Sequence, residues 1–199
     1  VAYSGGKHLG GPQASGILCG RADLIRSAWV QMVDMAVREG TWSLQHWIAN
    51  GWLSRPPRHG IGRSMKVSKE SIVGVMAALQ RYATRNHAAE YANWQATIDA
   101  IYDGIRDLPE LRITRCSHGM NGQPYPNLQI ESGSEPNALS VRNLLLALRN
   151  LPRRIVLAED ELSPDRAVLY SQCLQLGDAE EIISAIRQVV LAHRERLTR

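Results

Sequence analysis

The arrangement in this chain most able to do chemistry is Ser4-Gly5-Gly6-Lys7, close to its first residue. Glycines beside a lysine let the backbone approach a ligand closely and take conformations that a side chain forbids. A lysine held in such a place and partly desolvated has a lowered pKa and can form a Schiff base with an aldehyde. The Ser4 hydroxyl, three residues earlier, can hydrogen-bond a phosphate. An amine for an aldehyde and a small donor for a phosphate together suit pyridoxal phosphate. The plainer reading is a glycine-rich turn carrying a solvent-facing lysine, and composition alone favours it. The segment is not a P-loop: G-x-x-x-x-G-K-[ST] is absent, since Lys7 precedes the Gly10-Gly11 pair and is followed by His8.

The elements that must position Lys7 follow from the pattern around it. Val1-Ala2-Tyr3-Ser4 and Gly16-Ile17-Leu18-Cys19-Gly20 read as strands flanking a glycine-rich loop. A strand that opens at the first residue, without an initiator Met, is expected to be cut from something longer. From about Asp23 an amphipathic helix carries Leu24, Ile25, Ala28, Trp29, Met32 and Val33 on one face. Trp42, Trp47 and Trp52 follow, and Arg55-Pro56-Pro57-Arg58-His59-Gly60 breaks the helical pattern. Ser68 is a good N-cap with Glu70 in the first turn, opening a helix with Ile72, Val75, Met76, Leu79 and Ala83 on one stripe. A second long helix begins near His87, and Tyr91, Trp94, Ile98, Ile101 and Ile105 form a narrow seam that ends before Pro109.

Beyond Pro109 the pattern changes to short alternating runs. Leu111–Arg115, Leu128–Ile130, Arg154–Ala158 and Ala167–Tyr170 read as strands, with a helix from Ser140 between the second and third. Asp178 and Glu181 have the spacing of a capping box for a final helix to about Arg196. Two domains are therefore expected: residues 1–87, the end of a larger domain with a linker helix, and residues 88–199, a small C-terminal α/β domain.

Bulk properties bound the possibilities. The chain has 199 residues, 44% of them hydrophobic, enough for one good core or two small ones. No apolar run approaches the roughly 18–20 residues of a membrane span. Cys19, Cys116 and Cys173 are an odd, sparse set without C-x-x-C spacing, which points to reduced thiols in a cytoplasmic protein rather than a disulfide framework. A net charge of +4, spread along the chain, does not indicate a nucleic-acid surface.

The stretch from Tyr3 to Gly20, with Ser4-Gly5-Gly6-Lys7-His8-Leu9-Gly10-Gly11-Pro12-Gln13 at its centre, resembles the cofactor-lysine segment of the selenocysteine synthase (L-seryl-tRNA selenium transferase) family. It resembles still more that family's metabolic relatives, the D-glucosaminate-6-phosphate ammonia-lyase-like proteins. Gly62-Arg63-Ser64-Met65-Lys66-Val67-Ser68-Lys69-Glu70 and the tail around Leu157–Leu162 and Leu174–Ala179 are similar to the same relatives. The resemblance implies fold type I, an α/β enzyme of which this chain is the C-terminal portion: the end of a large, mostly parallel-sheet domain plus the small domain. It implies pyridoxal 5'-phosphate as cofactor, bound covalently by Lys7, which would also serve as acid and base at the substrate. It places Ser4 where such enzymes reach the cofactor phosphate, and Gln13 beside the cofactor. Arg63 and Lys66 fall where selenocysteine synthases carry a pair of arginines on the substrate side. Lysine at the second position loses the planar fork for bidentate anion binding. A homo-oligomer, dimer or larger, is implied as well. The acid for the pyridine nitrogen and the residue stacked on the ring are expected in the missing N-terminal part of the large domain, leaving this chain inactive alone.

Other residues carry weaker expectations. His8 could tune Lys7 but is expected to point away; His59 is expected in a connector. The tryptophans are expected to pack at a subunit interface or between domains. Glu159, Asp160 and Glu161 are expected to be a solvated turn rather than a metal site, and Cys19 a core residue. Arg112 and Arg115, read as sharing a strand face, could meet a substrate carboxylate, although neither is favoured. Three functions remain open. The first is a pyridoxal-phosphate lyase that eliminates from an amino acid or amino-sugar acid and releases ammonia. The second is a tRNA-linked transferase. The third is a non-catalytic fragment or interaction module.

Overall fold

The computed structural model describes residues 1–33, 37–119, 122–160 and 163–198. Its contacts divide the chain into two compact units, Val1–Arg85 and Asn86–Arg199. The division falls where Asn86 caps a helix, its side chain accepting from the Ala89 amide at 3.0 Å.

In the first unit β1 (Ala2–Ser4) and β2 (Gly16–Leu18) form an antiparallel hairpin, Ser4 opposite Gly16 and Tyr3 opposite Ile17. Then come α1 (Ala22–Met32), the short α2 (His46–Ala49), a 3-10 turn at Ile61–Ser64, and α3 (Lys69–Ala83). Ser68 caps α3 as expected, accepting from the Ser71 amide at 3.1 Å. The apolar faces behave differently from expectation. On α1, Leu24, Trp29 and Met32 are exposed, and on α3 so are Ile72, Met76 and Leu79, while Val75 and Ala78 are buried. The side of α3 that packs is the small-residue side, not the bulky one. The tryptophans pack on one another within this unit: Trp47 meets Trp29, Trp42 and Trp52 edge-on at 5.3–6.4 Å between ring centres. The Arg26 guanidinium covers Trp52 at 3.7 Å.

The second unit has its own core. It comprises α4 (His87–Ile105), β3 (Leu111–Cys116), β4 (Asn127–Ser132), α5 (Val141–Arg149), β5 (Ala158–Glu159), β6 (Arg166–Tyr170) and α6 (Asp178–Leu197). The strands lie in the order β3-β4-β6-β5, every pairing antiparallel. Helices α4 and α5 pack on this sheet, and both pack on α6. Ile98, Ile101 and Ile105 of the expected seam are buried with Leu128, Leu144 and Ile186 in one cluster. Among the described residues no parallel pairing occurs, so the expected parallel sheet is not in this chain's described part.

Three local expectations are corrected here. Of the expected Arg154–Ala158 strand only Ala158 pairs, as the first residue of β5, because the Ile155 amide donates instead to the Leu148 carbonyl at 3.2 Å. Asp178 does not make a capping box. Gly177, at φ 92°, precedes α6, and the Asp178 carboxylate turns back to accept from the Gln175 amide at 2.7 Å. Arg112 and Arg115 lie on opposite faces of β3, as odd spacing in a strand requires. Glu161 and Leu162 lie outside the described residues. Among the described residues no helix is long and apolar enough to cross a membrane.

Candidate functional site

Lys7 sits on the long loop that closes the β1–β2 hairpin, and backbone bonds give that loop a defined shape. The Gly5 amide donates to the Ser15 carbonyl at 2.9 Å, and the Gly11 amide to the Gly5 carbonyl at 2.8 Å. Between them the Gly10 amide donates to the Lys7 carbonyl at 2.8 Å, closing a turn over Lys7-His8-Leu9-Gly10 with Gly10 at φ 70°. A left-handed residue at that place is cheap only for glycine. The Ser15 hydroxyl donates to the Pro12 carbonyl at 2.5 Å and fixes the returning limb.

The loop is held on α3. A Cβ built on Gly11 would lie 3.2 Å from the Ala78 methyl and 3.4 Å from the Val75 Cα, so loop and helix are already in contact. Pro12 presses on Gly74 in the same way. One turn further along α3, the Arg81 guanidinium stands 3.1 Å from where a Gly10 Cβ would be, and Tyr82 meets the His8 ring edge-on at 5.6 Å. His8 therefore packs, as expected, while Arg81 and Tyr82 are additions that sequence reasoning missed. Their signal was available in outline: Gly74, Ala78 and Arg81 share one face of α3, and its two small residues permit a close approach.

The structure brings Ser4, Lys7 and Gln13 together on one hairpin. Ser4 ends β1, Lys7 is at the turn, and the Gln13 carboxamide oxygen lies 2.7 Å from where a Gly6 Cβ would be. All three are exposed, and no described residue hydrogen-bonds the Lys7 amine. The partial desolvation expected for Lys7 is thus not supplied by the described residues. Arg63 and Lys66 have a different support. Arg63 belongs to the 3-10 turn Ile61–Ser64, whose Gly62 packs on Met32 of α1, and both side chains are exposed. Cys19 is exposed rather than buried in a core. His59 lines an open cleft with Arg55 and Arg58. Among the described residues no cluster of histidine, cysteine and carboxylate groups could hold a metal ion.

Arg112 and Arg115 each face a carboxylate within the second unit. Arg115 bonds Asp99 at 2.8 Å and stacks on Tyr102 at 4.5 Å, and the first cause holding the Asp99 carboxyl below its usual range is its bond from Gln95, then that from Arg115. Arg112 pairs with Glu131 at 2.6 Å, on the other face of the sheet. Each guanidinium thus already has a carboxylate partner inside the unit.

A primary amine on a defined turn, a hydroxyl at the strand end and an amide on the returning limb are a donor set that fits pyridoxal phosphate. The amine suits the aldehyde, the hydroxyl a phosphate oxygen and the amide a ring substituent.

No protein-family model matches the chain, and comparison with curated proteins gives no match. Among solved structures it is similar to D-glucosaminate-6-phosphate ammonia-lyase, with a TM-score of 0.59 over 97% of this chain. The two are 20% identical, and this chain spans 44% of the length of the other. The likeness is one of fold: this chain has the fold of a part of that enzyme.

Proposed function

We propose that the chain is the lysine-bearing part of a pyridoxal-phosphate lyase acting on an amino acid or amino-sugar acid, with release of ammonia. The observation that carries this reading is the Lys7 turn, which presents an exposed primary amine from a loop clamped on α3, flanked by Ser4 and Gln13. Fold likeness to an ammonia-lyase, and the resemblance of the Ser4–Gln13 segment to a cofactor-lysine segment, support the same assignment. When bound, the cofactor would supply an electron sink for the α carbon. Lys7 would hold the aldehyde carbon through its Nζ and, once displaced by the substrate amine, move a proton at the α carbon. Ser4 would donate its hydroxyl to a phosphate oxygen, and Gln13 would orient the ring side. Arg63 and Lys66 would hold the substrate anion, the first as a fork and the second as a point charge.

The reading includes a covering partner for the first unit. Tyr3, Leu18, Leu24, Met32, Ile72 and Met76 are all exposed there, apolar side chains that such a partner would cover. We assign it to the remainder of the large domain, the portion of the fold that this chain does not match in its structural neighbour. A second copy of the assembled protein would complete the site.

The test is covalent trapping. The protein is incubated with pyridoxal phosphate, reduced with borohydride and digested, and the modified amines are identified by mass spectrometry. The competitors are few: the chain's other lysines are Lys66 and Lys69, and the Val1 amine donates to the Cys19 carbonyl at 2.6 Å. Preferential modification of Lys7, lost in Lys7→Ala without transfer to Lys66, is expected. Equal labelling of all three lysines would sink the assignment.

A further inference from the structure

We infer that the first unit carries a second anion site, a cleft built to take the phosphate monoester of a small metabolite. The cleft, about 920 Å³, lies between the end of α1 and the loop Leu53–Ile61. Its described lining brings Arg38, Arg55, Arg58 and His59 together and includes no carboxylate. No described carboxylate pairs with Arg38, Arg55 or Arg58, whereas in the second unit Arg112, Arg115, Arg166 and Arg194 each pair with one. Three like charges gathered in one concavity repel each other, and a bound anion relieves that repulsion.

The loop is set up in advance to hold its arginines. Pro56 and Pro57, between Arg55 and Arg58, fix two φ angles. The Gly60 amide donates to the Val33 carbonyl at 2.9 Å, and a Cβ on Gly60 would collide with the Gln31 carbonyl, so the loop is seated tightly on the end of α1. Guanidiniums offered from a restrained loop lose little freedom on binding. Their planar forks match the oxygen spacing of a phosphate and give charge-assisted, bidentate bonds. Val30, Val37, Leu53 and Ile61 line the rest of the cleft, apolar wall for the carbon skeleton attached to the phosphate. A nucleic-acid backbone would need a basic stripe extending beyond one concavity, and a chain of net charge +4 in which Arg112, Arg115, Arg166 and Arg194 are each paired with a carboxylate does not indicate one. The inference stands apart from the Lys7 reading, because the Lys7 loop rests on α3 and this cleft on α1.

Calorimetric titration of the whole chain with inorganic phosphate, glycerol 3-phosphate and acetate tests it. The expected result is saturable binding of both phosphates and none of acetate. Arg55→Ala/Arg58→Ala is expected to bind at least about tenfold more weakly, the weight of one charge-assisted fork. Arg55→Lys/Arg58→Lys keeps the charge without the fork and is expected to fall between. Lys7→Ala is expected to bind phosphate like the parent, so failure of the lysine assignment and failure of this one are read separately. Far-ultraviolet circular dichroism matching the parent establishes that each variant is folded. Absence of saturable phosphate binding, equal binding by the folded double-alanine variant, or acetate binding as well as phosphate would each overturn the inference. So would retardation of an oligonucleotide that the same double variant abolishes.

Discussion

Gly11, four residues past Lys7, is pressed against Ala78 of α3, so the position of the reactive turn is set by a contact between two of the smallest side chains in the unit. Enlarging either partner must move the loop. Ala78→Leu inserts atoms where there is already contact, at a cost of about 1–3 kcal/mol for overpacking. We expect trapping of pyridoxal phosphate at Lys7 to drop in Ala78→Leu and to remain near parent level in Met76→Leu, whose side chain is exposed. Equal trapping in both variants would show that the helix does not position the lysine.

The two units differ in what holds them. Ile101, Leu144 and Ile186 are fully buried in the second, whereas Leu24, Trp29 and Ile72 of the first are exposed. Ile101→Ala is therefore expected to lower stability by about 2–5 kcal/mol in urea unfolding, through lost transfer energy and the cavity left behind. Leu24→Ala should change it by less than about 0.5 kcal/mol. Native-state hydrogen exchange should follow the same division, with Leu128 and Ile130 amides protected and those of β1 and β2 exchanging early.

Periodicity was a sound guide wherever the partner of a face was local in sequence or the face had only one side to bury. The Ile98, Ile101, Ile105 seam, the cap at Ser68 and the helix start at Ser140 were legible for that reason. On α3 the pattern identified an apolar face but not what covers it. The Lys7 loop chose the side of Gly74 and Ala78, and left Ile72 and Met76 in water. Asp178 had the spacing of a cap, yet Gly177 at φ 92° turned the chain so that its carboxylate reached back to Gln175. The Lys7 turn was legible because glycines and lysine are contiguous. Arg81 was not, because its approach to Gly10 depends on how a helix seventy residues later docks.

Glu110 links the start of β3 to the end of α6, accepting from Arg194 Nε at 2.6 Å and from Nη2 at 2.9 Å. These bonds, ahead of any other cause, hold the Glu110 carboxyl below the usual glutamate range. A depressed pKa in the folded protein contributes stability that is fully present above the ordinary value, about pH 4, and is lost as pH falls through the lowered one. Glu110→Gln removes the charge at every pH. It should lower the urea midpoint at pH 7 and bring it closer to the parent's as the pH falls toward 3. Unfolding curves at a series of pH values check this, and a constant gap between the two proteins would count against it.

Glu131 stands between two guanidiniums on the open face of the small sheet, 2.6 Å from Arg112 and 2.9 Å from Arg166, which itself reaches Asp160 at 3.3 Å. Removing the central charge leaves two cations facing each other across β4. Removing Arg112 leaves Arg166 with both of its carboxylates. Glu131→Gln should therefore lower the melting temperature more than Arg112→Ala, and the difference should shrink as salt screens the repulsion. Melting curves at low and high sodium chloride decide it: a salt-independent loss in Glu131→Gln would point to packing rather than charge. Because Arg112 is committed to Glu131, Arg112→Ala is also expected to leave cofactor trapping at Lys7 unchanged, which separates a structural ladder from a substrate-carboxylate site.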